Sequence, residues 1–345
     1  MRRGLSVLFA VLVVTTILLS SILIYQWTTQ PERDLILATT TSTHDSGFLD
    51  YMLPVFEEKY NVKVRVLSVG TGQALEIASR GDADVVLVHS PETERIYVKS
   101  GDLIYRVPIM YNDFIVVGPP DDPANIRGLR NVTEAFIRIA EVGESGEIVF
   151  FSRGDDSGTH KKELSIWDVA GINPSGRSWY LETGQGMGNT LIATNEGFSG
   201  KSGYTLADRG TWLSMKNNLD NLVVLVEGDP ILINPYSGLL VNPEKHPEVN
   251  FDLAKKLIEY FISDYGQQRI ANFTIGGEQL FIPCYGNAPD AWGTEEEEQA
   301  AYEYWGQPKF DPPSGFFTIN RKTSISEVTG DMKILNLKYF YFILS

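Results

Sequence analysis

Hydroxyl groups and glycines crowd into three short segments of this chain: Thr39-Thr-Thr-Ser-Thr-His-Asp-Ser-Gly47, Gly70-Thr71-Gly72 and Ser152-Arg-Gly-Asp-Asp-Ser-Gly-Thr159. Hydroxyls donate hydrogen bonds, and glycines let backbone N–H groups come close to a bound group. A helix that follows such a segment adds unpaired N–H groups and a partial positive charge. Together these make a pocket for an anion. Arg153 is the one full positive charge in the three segments. That chemistry suits a small, multiply hydrogen-bonded oxyanion better than a nucleotide. Asp155 and Asp156 must point away from the anion or pair with Arg153 and Lys161, because a carboxylate aimed at a dianion repels it. Any one segment alone reads as an ordinary helix cap or glycine turn. Three in the same architectural place argue for a site.

That place is set by alternating elements. Leu35–Ala38 is a short apolar strand, Phe48–Tyr60 has helical spacing with Asn61 as its stop, and Val62–Val66 alternates strictly as a strand. Pro54 inside the first helix should bend it or remove one backbone bond. Gln73–Arg80 reads as a short helix and Ala83–Val88 as a buried strand. Further strands are expected at Phe114–Val117, Ile148–Phe151 and Leu222–Val226, with helices at Glu134–Glu141, Thr159–Ala170 and Phe251–Phe261. Thr205-Leu-Ala-Asp208 fits a capping box opening one more helix. Strand and helix in alternation mean a parallel sheet covered by helices, and ligands of such α/β sheets bind beyond the carboxyl ends of the strands. All three polar segments follow a strand in that way.

The chain's 345 residues suit two domains, with 43% hydrophobic and 21% charged residues, a globular composition. A net charge of −15 argues against nucleic acid as a partner. It does not exclude an anion, since exposed charges beyond about 8–10 Å are screened while aligned dipoles act at contact. One cysteine and four histidines without ligand spacing give no expectation of a metal or cofactor. Met1-Arg2-Arg3 precedes an uncharged apolar run from Leu5 to Tyr25, long enough to span a membrane. With no small-residue cleavage signature after it, residues 1–30 read as an N-terminal membrane anchor, with a long cleaved signal as the alternative. Either way the body is expected outside the cytoplasm. Beyond Pro283 the alternation stops; the acidic run Glu295–Glu298 suggests that residues 284–345 form an acidic linker and tail of no assigned role.

Ala38-Thr-Thr-Thr-Ser-Thr43, Val69-Gly-Thr-Gly-Gln-Ala-Leu75, Ala83-Asp-Val-Val-Leu-Val-His89, Met110-Tyr-Asn-Asp-Phe114, Ser152–Glu163, Gly184-Gln-Gly-Met-Gly188 and Val226-Glu-Gly-Asp-Pro230 occur in one order. From about Asp34 to Pro283 the chain resembles the tungstate-binding proteins of tungstate-specific ABC importers. The resemblance implies a type II periplasmic-binding-protein fold: two α/β lobes, each a mostly parallel sheet flanked by helices, with the ligand in the cleft between them. It implies capture of tungstate, or molybdate, for a membrane permease driven by a cytoplasmic ATPase. Lobe I would comprise residues 31–112 and 240–283, lobe II residues 113–239, with crossings near Asn112–Phe114 and Tyr236–Leu240. The same resemblance assigns the oxyanion shell to Thr40, Thr41, Ser42 and Thr71, and to a clamp of Arg153, Ser157, Gly158 and Thr159. Related phosphate binders add a carboxylate that accepts the proton of hydrogen phosphate. The strand Val85–Val88 leads into His89-Ser90 and offers no acid there, which favours the fully deprotonated tungstate or molybdate.

Two other classes compete. Gly154-Asp-Asp-Ser-Gly158 looks superficially like the Gly-Asp-Ser-Gly of a serine hydrolase, with Ser157 as nucleophile. A nucleophilic serine needs a base and a group that orients it, whereas His160 has no evident orienter and an extra Asp breaks the motif. An oxyanion-sensing receptor would need a cytoplasmic output domain, and only Met1–Gly4 would lie inside. The expectation is a binding protein, not an enzyme.

Overall fold

The computed structural model describes residues 33–316. The expected N-terminal anchor and the last part of the tail lie outside that range. Among the described residues no helix is long and apolar enough to cross a membrane.

The chain opens with β1 (Arg33–Thr40), a single turn α1 (Thr41–Asp45) and α2 (Phe48–Tyr60). It continues through β2 (Val62–Val69), α3 (Thr71–Ser79), β3 (Val85–Val88) and α4 (Pro91–Ser100). A 16-residue strand, β4 (Leu103–Gly118), leads to α5 (Val132–Ser145), β5 (Ile148–Ser152), α6 (Gly158–Val169), β6 (Tyr180–Glu182) and α7 (Met187–Glu196). Then come β7 (Ser202–Asp208), α8 (Arg209–Met215), β8 (Val223–Val226), β9 (Ile233–Val241), α9 (Phe251–Ile262) and α10 (Asp264–Asn272). The described chain ends with β10 (Thr274–Ile275), β11 (Glu278–Gln279), β12 (Ile282–Pro283) and α11 (Glu295–Trp305).

The main sheet has the order β2-β1-β3-β9-β4-β7-β5-β6. Pairing is parallel at one end (β2, β1, β3) and at the other (β7, β5, β6), and antiparallel in the middle. β4 belongs to both ends. From Leu103 to Asp113 it pairs with β9, and from Phe114 to Gly118 with β7 and β8. The change of partner falls between adjacent residues.

Packing follows the same division. Phe136, Phe150, Trp167 and Trp179 interlock beside β5, with the Phe136 and Trp167 rings 4.4 Å apart. Phe48, Phe56, Tyr260, Phe261 and Phe281 fill the other end. Each such fully buried side chain contributes roughly 1.5–3 kcal/mol relative to exposure. α2 matches its expected limits, ended by Asn61 in the left-handed region (φ 48°), with Pro54 inside it.

Four local expectations are corrected. Thr205–Asp208 does not open a helix; it finishes β7, with Thr205 opposite Val117 of β4 and Tyr204, Leu206 and Ala207 buried. Cross-strand pairing overrides the capping-box pattern, and Asp208 alone caps α8 by accepting from Thr211 N–H. The segment Thr39–Gly47 holds the turn α1, and α3 begins at Thr71 rather than Gln73. Finally, Glu295–Glu298 is not a linker but the first turn of α11, where Thr294 and Glu297 form a capping box. Four carboxylates there meet the positive end of the helix dipole. Trp292, Trp305 and Phe310 are buried against the body, which the charge run alone concealed.

Candidate functional site

The register of the sheet aligns the carboxyl ends of β1, β2 and β3. Thr40 lies opposite Val69, and Thr39 opposite both Ser68 and Leu87. Thr40 ends β1 and caps α1, its Oγ1 accepting from Thr43 N–H at 3.3 Å and lying 3.2 Å from Ser42 Oγ. Thr41 and Ser42 are exposed on the first positions of α1. Thr71 opens α3, two residues beyond the Thr40–Val69 pair; Gly70 before it supplies no side-chain cap, so the first N–H groups of α3 are uncapped.

On the other half of the sheet, β5 delivers Arg153 to Thr159. Gly154 must be glycine: its φ is +60°, and a Cβ there would lie 2.7 Å from Glu182 Cβ. Ser157 caps α6 by accepting from His160 N–H at 3.3 Å. Arg153 is held by Asp155, with Nη2 2.5 Å and Nε 3.1 Å from Oδ2, and its Nη1 is 3.5 Å from Thr159 Oγ1. Asp155 Oδ1 accepts from Ser157 N–H at 3.2 Å. Burial pushes the Asp155 carboxyl up, but the bonds from Ser157 and Arg153 outweigh it and hold the group below the usual range. Asp156 pairs with Lys161 at 3.2 Å. Both acids are thus engaged with cations, as the electrostatics require.

His89, immediately after β3, joins the two halves. Its Nε2 is 3.4 Å from Ser42 Oγ. A Cβ built on Gly158 would lie 3.7 Å from its Cε1. The ring is tilted against Tyr236, with centroids 4.7 Å apart. Nδ1 meets Asn234 Oδ1 at 3.0 Å, and Asn234 Nδ2 donates to Asn112 Oδ1 at 2.9 Å. Asn112 and Asn234 face each other in the β4–β9 register. Burial pushes the imidazole pKa down, opposed by the Asn234 bond and the charge of Asp208.

Thus Thr40, Ser42, Gly158 and, through Thr159, Arg153 gather on either side of His89. Thr71 sits on the same sheet edge, with no side-chain hydrogen bond to the others among the described residues. The Ser157 hydroxyl contacts the His160 backbone, while the His160 ring accepts from Asp156 N–H at 3.1 Å. No nucleophile–base pair is formed among the described residues at this position.

The sequence motifs contained His89 and Asn112 without assigning them. A polar residue directly after a fully buried strand was the available signal for His89. Asn234 pairs with Asn112 across 122 positions, which no local pattern announces. Gly186 likewise opens α7 without a side-chain cap, and Thr183 beside it bonds Ser152 O at 3.1 Å.

Residues 26–265 match the PBP superfamily domain. A protein of Haloferax volcanii named for anion binding in an ABC transporter is 48% identical over 256 residues, covering 73% of this chain and 72% of its own length. The tungstate-binding protein TupA of Peptoclostridium acidaminophilum is 44% identical over 259 residues, covering 74% of this chain and 86% of its own. The solved tungstate-binding protein TupA of Desulfovibrio alaskensis G20 matches with a TM-score of 0.67 at 41% identity, over 73% of this chain and 98% of that one.

Proposed function

This chain belongs to the PBP superfamily, and from that premise we propose that it captures tungstate, or molybdate, outside the cytoplasm and hands it to an ABC permease driven by an ATPase. The observation that carries the proposal is the meeting of two donor-rich loops, one from each parallel end of the sheet, around His89. Ser42 and Thr40 offer hydroxyls from one side, and Thr71 with the uncapped N–H groups of α3 adds to them. Arg153, and the Gly158 and Thr159 N–H groups left free when Ser157 caps His160, offer the other side. Donors fixed before the ligand arrives, aided by the positive ends of α3 and α6, favour a dianion over water. A tetrahedral dianion needs donors only, and the two nearby acids are tied up by Arg153 and Lys161.

The crossover strands supply the motion. One lobe carries β1–β3 and the other β5–β7, with the pivot at Asp113–Phe114, where β4 changes partner. The return crossing falls just before Ser237, where β9 begins to pair with β3. α11 packs on α4 and β4, so residues 284–316 go with the first lobe. The anion binds to one lobe and the closed form is held by contacts made only there. The apolar run Leu5–Tyr25, if retained in the membrane as an anchor, would keep the protein beside its permease.

Calorimetric competition of tungstate, molybdate, sulfate and phosphate for the full chain tests this reading. Tight binding of tungstate or molybdate with weak sulfate and phosphate is expected. Preference for phosphate, or no oxyanion binding, would refute it.

A further inference from the structure

We propose that His89 is a proton-linked contact of the bound oxyanion, neutral in the empty site and protonated when a dianion enters, and that it joins the anion to the paired crossover strands. The inference rests on the oxyanion reading above and concerns how that site is regulated.

The hydrogen-bond chain fixes the ring. Asn234 uses Nδ2 to donate to Asn112 Oδ1, so its Oδ1 faces His89 as an acceptor, and His89 Nδ1 carries the proton. In the neutral ring Nε2 is then a bare lone pair, directed at Ser42 Oγ 3.4 Å away. A lone pair beside a dianion is repelled; an Nε2–H is a charge-assisted donor. The site therefore gains its second cation, after Arg153, only by taking a proton from solvent.

The surroundings favour that switch. Tyr236 lies tilted against the ring, with centroids 4.7 Å apart, and covers one face of it. Asp208, at the end of β7, contributes a negative charge that favours the imidazolium. Opposing it is the amino end of α6 at Gly158, whose dipole disfavours a cation. Charged groups on the adjoining elements are paired: Asp113 with Arg209, Glu94 with Arg106 and Arg153 with Asp155. Burial lowers the imidazole pKa and so favours the neutral ring in the empty site, and an incoming dianion is the negative charge that reverses this. Because Asn112 and Asn234 are register partners on the two crossover strands, the protonated ring holds the anion and the pivot together.

The test is titration calorimetry of the full chain with sodium tungstate at pH 7.5, in Pipes, Hepes and Tris buffers. The slope of apparent enthalpy against buffer ionisation enthalpy counts protons taken up. Roughly 0.5–1 proton is expected for the wild type, with affinity rising as pH falls from 8 towards 6 by up to about tenfold per unit. His89→Gln should bind more weakly with a slope near zero, which assigns the proton to this ring rather than to His44, His160 or His246. Tungstate binding without proton uptake in the wild type, or an unchanged slope in His89→Gln, overturns this inference alone. Failure of the wild type to bind either tungstate or molybdate overturns the functional reading as well.

Discussion

Arg153 and Asp155 form one electrostatic unit, and separating them is the sharpest perturbation the proposed site allows. The guanidinium is held at 2.5 and 3.1 Å by one carboxylate oxygen, with both side chains about one-fifth exposed. Arg153→Ala removes a charge-assisted donor from the oxyanion, a loss of about 1.5–3 kcal/mol. It also leaves Asp155 without its cation. A lone carboxylate beside a dianion in a partly wetted cleft repels it by about 1–2 kcal/mol. The single variant should therefore lose about 2.5–5 kcal/mol, a weakening of roughly two to three and a half orders of magnitude. The double variant Arg153→Ala/Asp155→Ala removes the repulsion and should recover about 1–2 kcal/mol, despite carrying one more substitution. Calorimetry with tungstate measures all three proteins, and circular dichroism checks that each is folded. Affinity of Arg153→Ala within twofold of wild type would place Arg153 outside the shell. A double variant no better than the single would show that the Asp155 charge is not felt at the anion.

Thr71→Val keeps the shape of the α3 entry and deletes one hydroxyl; a loss of about 0.5–1.5 kcal/mol in tungstate affinity is expected, and an unchanged value would mean recognition there by backbone N–H alone. Glu163 accepts bonds from Ser152, Trp167 and Tyr180, yet burial lifts its pKa from the ordinary 4.5 to about 7. Because the folded value is raised, the stability linked to its proton is complete below about pH 4.5 and is lost as pH rises through 7, on the order of 3 kcal/mol. Glu163→Gln should flatten that slope relative to wild type in melting curves between pH 4.5 and 8. Truncation after Pro283 removes buried Trp292, Ala301, Trp305 and Phe310; the lost burial, on the order of 5–10 kcal/mol, rivals the whole stability of a domain. A soluble product melting within 5 °C of the full chain would show that the extension packs without stabilising.

Much of this architecture was legible because its signals are local. Phe48–Tyr60 is a helix with the expected limits, since apolar spacing and an αL stop at Asn61 lie within one segment. Leu35–Ala38, Val62–Val66 and Ile148–Phe151 likewise read correctly as strands. The misread places are those where a distant partner decides. Thr205 and Asp208 have capping-box chemistry, but β4 recruits them into the sheet. Glu295–Glu298 reads as a solvated run until Arg95 meets Glu297 at 2.7 Å and Trp292 finds Ser237. The candidate site divides in the same way. Its hydroxyl and glycine loops follow strands and announce themselves, whereas the role of His89 depends on Asn234, Tyr236 and Gly158, each far away in sequence.

Trp292 donates its indole N–H to Ser237 Oγ at 2.9 Å, and Ser237 stands opposite Val88, the residue before His89. Arg106 lies 4.1 Å from the centre of the same indole. The fluorophore is thus wired to the return strand, with a fixed cation over its face. If that strand shifts when the cleft shuts, the emission of this tryptophan changes, giving an intrinsic optical signal of anion capture without any attached dye.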